Sequence, residues 1–266
     1  MIASIAEGTA KDVDRAVSAA KHAFETSWGL KVPGARRGEL LNKLADLIEL
    51  HADELAALEA LDNGKTFNSA RGFDLGMSIG TIRYYGGWAD KIHGQVIETN
   101  EGKLSYTRHE PIGVVGQIIP WNFPRMWDFW VLLVLRLLIA TGTVLMMAWK
   151  IGPALAAGNC IVLKPSEFTP LAALRVCSLI NEAGFPPGVV NVVTGYGETA
   201  GRAVSEHMSI DKVAFTGSTL VGRKVMEAAA RSNLKNVTLE LGGKSPNVVF
   251  NDADLELAID WSTHGI

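Results

Sequence analysis

Gly113-Val114-Val115-Gly116-Gln117-Ile118-Ile119 is the stretch whose reading decides the fold. It is apolar almost throughout and lacks the apolar–polar alternation of a half-exposed strand, which predicts a strand buried on both faces. Five similar runs follow: CIVL (160–163), VVNVV (189–193), KVAF (212–215), NVTLEL (236–241) and NVVF (247–250). Between them, stretches beginning near Thr169, Glu198, Thr219 and Ala253 read as helices. Thr169-Pro170 reads as a helix entrance, a hydroxyl cap followed by proline, and Gly184 as the exit. Repeated strand–helix units of this kind predict an α/β fold, a doubly wound, Rossmann-like parallel sheet covered on both faces. Ligands in such sheets bind beyond the carboxyl ends of the strands.

Upstream, the first hundred residues read as helices. Thr9 and Asp12 have the spacing of a capping box, leading into Val13, Ala16, Val17, Ala20 and Phe24. Leu40, Leu41, Leu44, Leu47 and Ile48 form a second apolar stripe, and a third helix is expected over 68–89. The domain reading is residues 1–112 as the helical part of a cofactor-binding domain and 113–242 as its Rossmann-like core. Residues 243–266 would begin a second domain.

Composition narrows the function classes. The chain has 266 residues, 48% hydrophobic and 20% charged, with a net charge of -3. There is no basic run, so nucleic acid is not an expected partner. Two cysteines, Cys160 and Cys177, supply neither a disulfide framework nor a zinc site of usual ligand number, and no metal is expected. A reduced, cytoplasmic setting is the simplest reading. Both thiols lie on apolar elements, where cysteine is usually an inert packing residue.

The chemistry-bearing residues follow the strands. Pro120-Trp121-Asn122-Phe123-Pro124 holds one amide side chain between two prolines; it reads either as a fixed oxyanion donor or as a turn whose Asn bonds its own backbone. Lys164 and Glu167 could clamp a ribose diol, with the carboxylate repelling a 2′-phosphate, or form a solvated ion pair. Residues 195–201, GYGETAG, suggest a dinucleotide fingerprint through Gly197 and Gly201, but the last glycine is one position late. Phe215-Thr216-Gly217-Ser218, running on to Val221 and Gly222, puts a small-residue turn at a helix entrance that suits phosphate as well as a simple cap. Glu240-Leu241-Gly242-Gly243-Lys244 ends the last of these strands with a carboxylate and two glycines, a good place for an acid/base group.

In order, PWNFP, LKPSE, GYGETAG, FTGST and LELGGKSPNVVF resemble the aldehyde dehydrogenase superfamily in its NAD-dependent branch. The resemblance implies NAD as cofactor, an aldehyde as substrate and a homo-oligomeric parent enzyme. It implies Asn122 as oxyanion donor and Glu240 as the base that activates water for thioester hydrolysis. Ile118, Ile119, Pro120 and Trp121 would line the cofactor cleft together with Phe215, Thr216, Leu241 and Gly242. Lys164 and Glu167 would hold the ribose, and Ser218 with the turn from Gly217 through Val221 to Gly222 the pyrophosphate. The family's nucleophilic cysteine lies beyond the glutamate, past residue 266, so the chain is expected to be a partial, inactive enzyme. Its N-terminus also enters part-way into the family pattern, which leaves a mitochondrial address open.

One stretch departs from the resemblance. Family members pass from PWNFP almost directly into a helix like LLMMAWKIGPALAAGN, whereas here residues 125–144 intervene. Residues 129–149, FWVLLVLRLLIATGTVLMMAW, are long enough to span a bilayer, though Arg136 near the middle costs roughly 2.5–3.5 kcal/mol. The genetic code offers another source. Arg125-Met126-Trp127 can be written CGT-ATG-TGG, containing the splice-donor string GTATGT. Thr143-Val144 can be written ACA-GTN, containing an AG acceptor. Joining them leaves a leucine codon and restores Pro124-Leu-Leu145, so 125–144 reads as a retained intron.

Overall fold

The structure, a computed structural model, describes residues 2–100, 102–121, 142–243 and 246–265. Five parallel strands form the main sheet: β3 (Val114–Ile118), β4 (Cys160–Lys164), β5 (Val190–Val192), β6 (Lys212–Gly217) and β7 (Asn236–Leu241). Their order is β5-β4-β3-β6-β7, so the chain winds outward from β3 in both directions. The switch point lies between β3 and β6, paired through Ile118 and Phe215. Every residue of β3 and β4 is buried, as their unalternating Val and Ile require. Each such side chain contributes about 1.5–3 kcal/mol by leaving water. The sheet edge at β7 differs, alternating between exposed Asn236, Thr238, Glu240 and half-buried Val237, Leu239, Leu241.

The N-terminal helices are α1 (Ala10–Thr26), α2 (Gly34–Leu50), α3 (Ala52–Asn63) and α4 (Leu75–Trp88), the last entered through a π-helical turn, Ala70–Asp74. They share one hydrophobic core with the sheet: Val13, Leu44 and Ile82 belong to the same buried cluster as Ile161 and Val213. The predicted capping box is present, with the Asp12 carboxylate accepting from the Thr9 amide at 2.8 Å. That amide and the Thr9 hydroxyl hold the carboxyl well below the usual range. The helical reading missed a two-stranded antiparallel hairpin, β1 (Val96–Ile97) with β2 (Ser105–Tyr106). Strands of two residues are too short to carry a period.

The remaining helices are α5 (Thr143–Ala156), α6 (Leu171–Ala183), α7 (Arg202–Glu206), α8 (Thr219–Arg231) and α9 (Leu255–Gly265). Gly184 closes α6 in the left-handed region at φ 94°, as expected. Its predicted hydroxyl cap is corrected: the Leu171 amide donates to Asp62 of α3 at 2.7 Å. The Thr169 hydroxyl accepts from Thr143 at 3.0 Å instead. A tertiary carboxylate displaced the local cap. NVVF (247–250) is not a strand, because among the described residues nothing pairs with it; Val248, Val249 and Phe250 lie exposed. Of the apolar run, residues 129–141 lie outside the described residues, while 143–149 form the start of α5 and are buried except Trp149. Among the described residues no helix is long and apolar enough to cross a membrane.

Candidate functional site

The carboxyl ends of the five strands bring most of the predicted residues to one edge of the sheet. At its centre, Ile118 and Ile119 are buried, and the Ile119 amide donates to the Lys164 carbonyl at 3.1 Å, tying the end of β3 to that of β4. Pro120 and Trp121 continue from there half-buried, and the Trp121 ring meets Phe168 edge-on with centroids 5.3 Å apart. Asn122, the expected oxyanion donor, lies outside the described residues.

Beyond β4, the Lys164 side chain is only 3% exposed. Its ammonium donates to the Pro165 carbonyl at 2.6 Å and to Glu167 Oε2 at 3.2 Å. Burial pushes the ammonium below its usual range, and the Glu167 carboxylate acts against that shift. A buried ammonium facing a part-exposed carboxylate is a donor–acceptor pair suited to a vicinal diol, and the solvated ion pair left open by the sequence does not describe it. Beyond β5, Gly197 to Gly201 form a π-helical turn that runs into α7. Gly201 is buried beside the Lys164 stem, which a Cβ there would approach to 3.5 Å. Gly197 faces open space, so the structure shows no close approach that demands glycine at that position.

On the other side of the switch point, β6 delivers Phe215, Thr216 and Gly217 to the turn before α8. Ser218 caps α8, its hydroxyl accepting from the Val221 amide at 3.3 Å. Ser218, Thr219 and Leu220 are exposed, so the first turn of a 13-residue helix opens on the crevice with its amides and positive dipole end. Gly222 lies where α8 crosses β7; a Cβ there would come within 2.6 Å of a Leu241 methyl carbon. A side chain at 222 would therefore displace the Leu241 side chain from this helix–strand contact. Glu240 pairs with Thr216 and Leu241 with Gly217 in the β6–β7 register. Glu240, Gly242 and Gly243 are exposed.

The site also contains Lys150, which sequence reasoning passed over. It stands on α5, and burial holds its ammonium below the usual range while the Glu240 carboxylate pulls it back up. A single lysine inside the apolar run LLMMAWKIGP was the available signal. Neither cysteine joins the site. Burial pushes both thiols up to about 12, and Cys177 donates to the Ala173 carbonyl within its own helix. No cluster of metal-ligating side chains occurs among the described residues. The residues present fit a dinucleotide: an amine–carboxylate pair beyond β4, an open helix N-terminus beyond β6, and apolar walls between them.

The profile of the aldehyde dehydrogenase family matches residues 1–140 and 141–266. An aldehyde dehydrogenase of Agaricus bisporus is 66% identical over all of this chain and 49% of its own length. Aldehyde dehydrogenase 1A1 of Mus musculus is 54% identical over all of this chain and 50% of its own. The chain thus spans about half the length of the curated relatives it matches. The NAD+ complex of an aldehyde dehydrogenase from Bacillus cereus superposes with a TM-score of 0.86 at 51% identity, over 96% of this chain and 48% of that one. The structure of PnpE in complex with nicotinamide adenine dinucleotide gives 0.86 at 50%, with the same coverage. The chain belongs to the aldehyde dehydrogenase family.

Proposed function

We propose that this chain forms the NAD-binding half of an enzyme that oxidises an aldehyde to a carboxylic acid, with Glu240 as its water-activating base. The observation that carries the reading is the convergence of the Lys164–Glu167 pair, the open start of α8 and Glu240 on the carboxyl edge of one parallel sheet. Bound at that edge, NAD supplies the hydride acceptor. Lys164 and Glu167 orient a ribose diol, and the Glu167 carboxylate disfavours a 2′-phosphate there. The amides at the start of α8 face the pyrophosphate, with Ser218 fixing the helix end. Ile118, Ile119, Pro120 and Trp121 close the apolar side of the cleft. Asn122 donates to the developing oxyanion.

Glu240 takes a proton from the water that releases the acid. The family reaction as the resemblance implies it needs a cysteine thiolate, and thiols that desolvation pushes up to about 12, as at buried Cys160 and half-buried Cys177, are unsuited to that role. The 266-residue chain alone therefore forms no NADH from an aldehyde. Spectrophotometric assay of the purified chain with NAD and a panel of aldehydes tests this; sustained turnover would overturn it. In a parent enzyme of the relatives' length, Glu240→Gln should leave one NADH released per site and abolish later turnover. Unchanged steady-state turnover would remove Glu240 from the role of base.

Residues 125–144 belong to this proposal as a retained intron. Two observations support it. The family match is in two pieces that meet inside the stretch. Among the described residues, buried polar groups also go unpartnered beside its far end: Glu59 accepts from the Val144 amide at 3.3 Å, yet its second oxygen and both amide atoms of Asn63, one turn along α3, find no partner among the described residues. Sequencing the transcript tests the proposal, and a mature message that still encodes residues 125–143 would end it.

A further inference from the structure

We propose that Phe168 is a positioning residue of the cofactor crevice: its ring holds the Trp121 indole in place beside the Lys164–Glu167 pair. The inference rests on the reading of this edge as the NAD site and adds a residue to it. Phe168 stands on the loop that joins β4 to α6. Pro165, Ser166, Thr169 and Pro170 of that loop are buried, so Glu167 and Phe168 alone reach the surface from residues 165–170. Glu167 is one half of the sugar clamp. Phe168, beside it, is 52% exposed at the carboxyl edge of the sheet.

The backbone under the ring is fixed. The Phe168 amide donates to Ser166 Oγ at 3.2 Å, and the Thr169 amide donates to the Ser166 carbonyl at 3.4 Å. Beyond it, the Thr143 hydroxyl donates to the Thr169 carbonyl at 3.2 Å, and the Leu171 amide to Asp62 at 2.7 Å. A loop pinned at these points presents its two outward side chains in one orientation. The end of β3 meets it twice. The Ile119 amide donates to the Lys164 carbonyl at 3.1 Å, and the Trp121 ring meets Phe168 with centroids 5.3 Å apart and planes at 66°. Edge-to-face contact is a favoured arrangement of aromatic rings, and it restrains both partners. The Lys164–Glu167 pair, closed at 3.2 Å, runs in the chain from one of these ties to the residue before the other. Without the Phe168 edge, the half-buried indole would turn between orientations. NAD would then bind only the fraction of molecules in which that wall of the crevice is formed. An aliphatic side chain at 168 is apolar too, but it has no ring edge to offer.

The test uses the full chain labelled with fluorotryptophan, in which the fluorine resonance of Trp121, assigned by its loss in Trp121→Phe, reads the indole with and without NAD. Phe168→Leu should shift or broaden that resonance before NAD is added, and should weaken NAD binding about 3–10-fold in calorimetric titration. Phe168→Tyr keeps the ring and should bind NAD within about twofold of the unaltered chain. Trp121→Leu should weaken binding, and adding Phe168→Leu to it should weaken it no further, because Phe168 acts through the indole. Ser166→Ala frees the Phe168 amide and should move resonance and affinity in the same direction with the ring intact, so it decides the matter if Phe168→Leu does not fold. Unchanged affinity in both Phe168→Leu and Ser166→Ala would overturn the inference and leave the NAD site standing. Equal weakening by Phe168→Leu with and without Trp121→Leu would do the same. If the unaltered chain shows no saturable NAD binding, the reading of the crevice fails and the inference fails with it.

Discussion

The ends of β4 and β7 both carry an ionisable side chain toward the same crevice, and they treat it in opposite ways. Lys164 at the end of β4 is buried and already bonded to Pro165 and Glu167, on a strand covered on both faces. Glu240 near the end of β7 is exposed, on an edge strand of which every second residue faces solvent. The difference is one of neighbours. β4 has β3 and β5 beside it and holds its charge in place at a desolvation cost, whereas β7 has a partner on one side among the described residues. Lys164 is held by its neighbours within this chain, whereas Glu240 stands in the open.

Several measurements would break or sharpen this contrast. The largest effect is expected on the closed side, at Glu59, which lies fully buried against the start of α5. Burial, reinforced by the Asp74 carboxylate, pushes Glu59 up to about 7. Its folded value lies above its unfolded one, so its contribution is complete below about pH 4.5 and is lost as pH rises through 7. The loss amounts to about 3 kcal/mol. Denaturant unfolding between pH 4.5 and 8 should show it, and Glu59→Gln should flatten that part of the profile. An unchanged slope in Glu59→Gln would place the titration elsewhere.

Next in size is the sugar clamp. Glu167→Gln removes the charge opposed to a 2′-phosphate and should narrow the preference for NAD over NADP by about tenfold in paired binding titrations, equivalent to about 1.4 kcal/mol. Equal narrowing in Glu240→Gln would show that the two ends of the sheet are not distinct. Ser218→Ala removes the hydroxyl cap of α8 and should lower stability by about 1 kcal/mol in chemical denaturation. The smallest effect belongs to the open side. Glu240→Gln should leave stability within about 0.5 kcal/mol of the parent, as for an exposed side chain that makes no hydrogen bond or ion pair among the described residues. A larger loss would mean that Glu240 is held in place after all.

The sequence made one part of this contrast readable and hid the other. Strands buried on both faces announce themselves, because β3 and β4 have no polar alternation to confuse with a helix or an edge, and the motif after each strand then falls on the carboxyl edge by topology alone. β7 reads as one more strand buried on both faces, yet Asn236, Thr238 and Glu240 lie exposed in alternation with half-buried Val237, Leu239 and Leu241, because it stands at a sheet edge among the described residues. NVVF misled because composition favours a strand while pairing needs a neighbour, and among the described residues it has none. The β1–β2 hairpin was too short to register. Asp62 displacing Thr169 as the cap of α6 depends on residues far apart in the chain, where local spacing carries no information. Asn122 was named from its motif and lies outside the described residues.

The central claim is that the cofactor cleft is complete within this chain and that Glu240 is not part of what holds the cofactor. Calorimetric titration of the chain with NAD, alongside Lys164→Met and Glu240→Gln, tests it most directly. The account predicts saturable binding to one site, weakened about 10–100-fold in Lys164→Met, where a buried charged hydrogen bond of about 1.5–3 kcal/mol is lost, and unchanged within about twofold in Glu240→Gln. Absence of saturable binding, or equal weakening in the two variants, would contradict it.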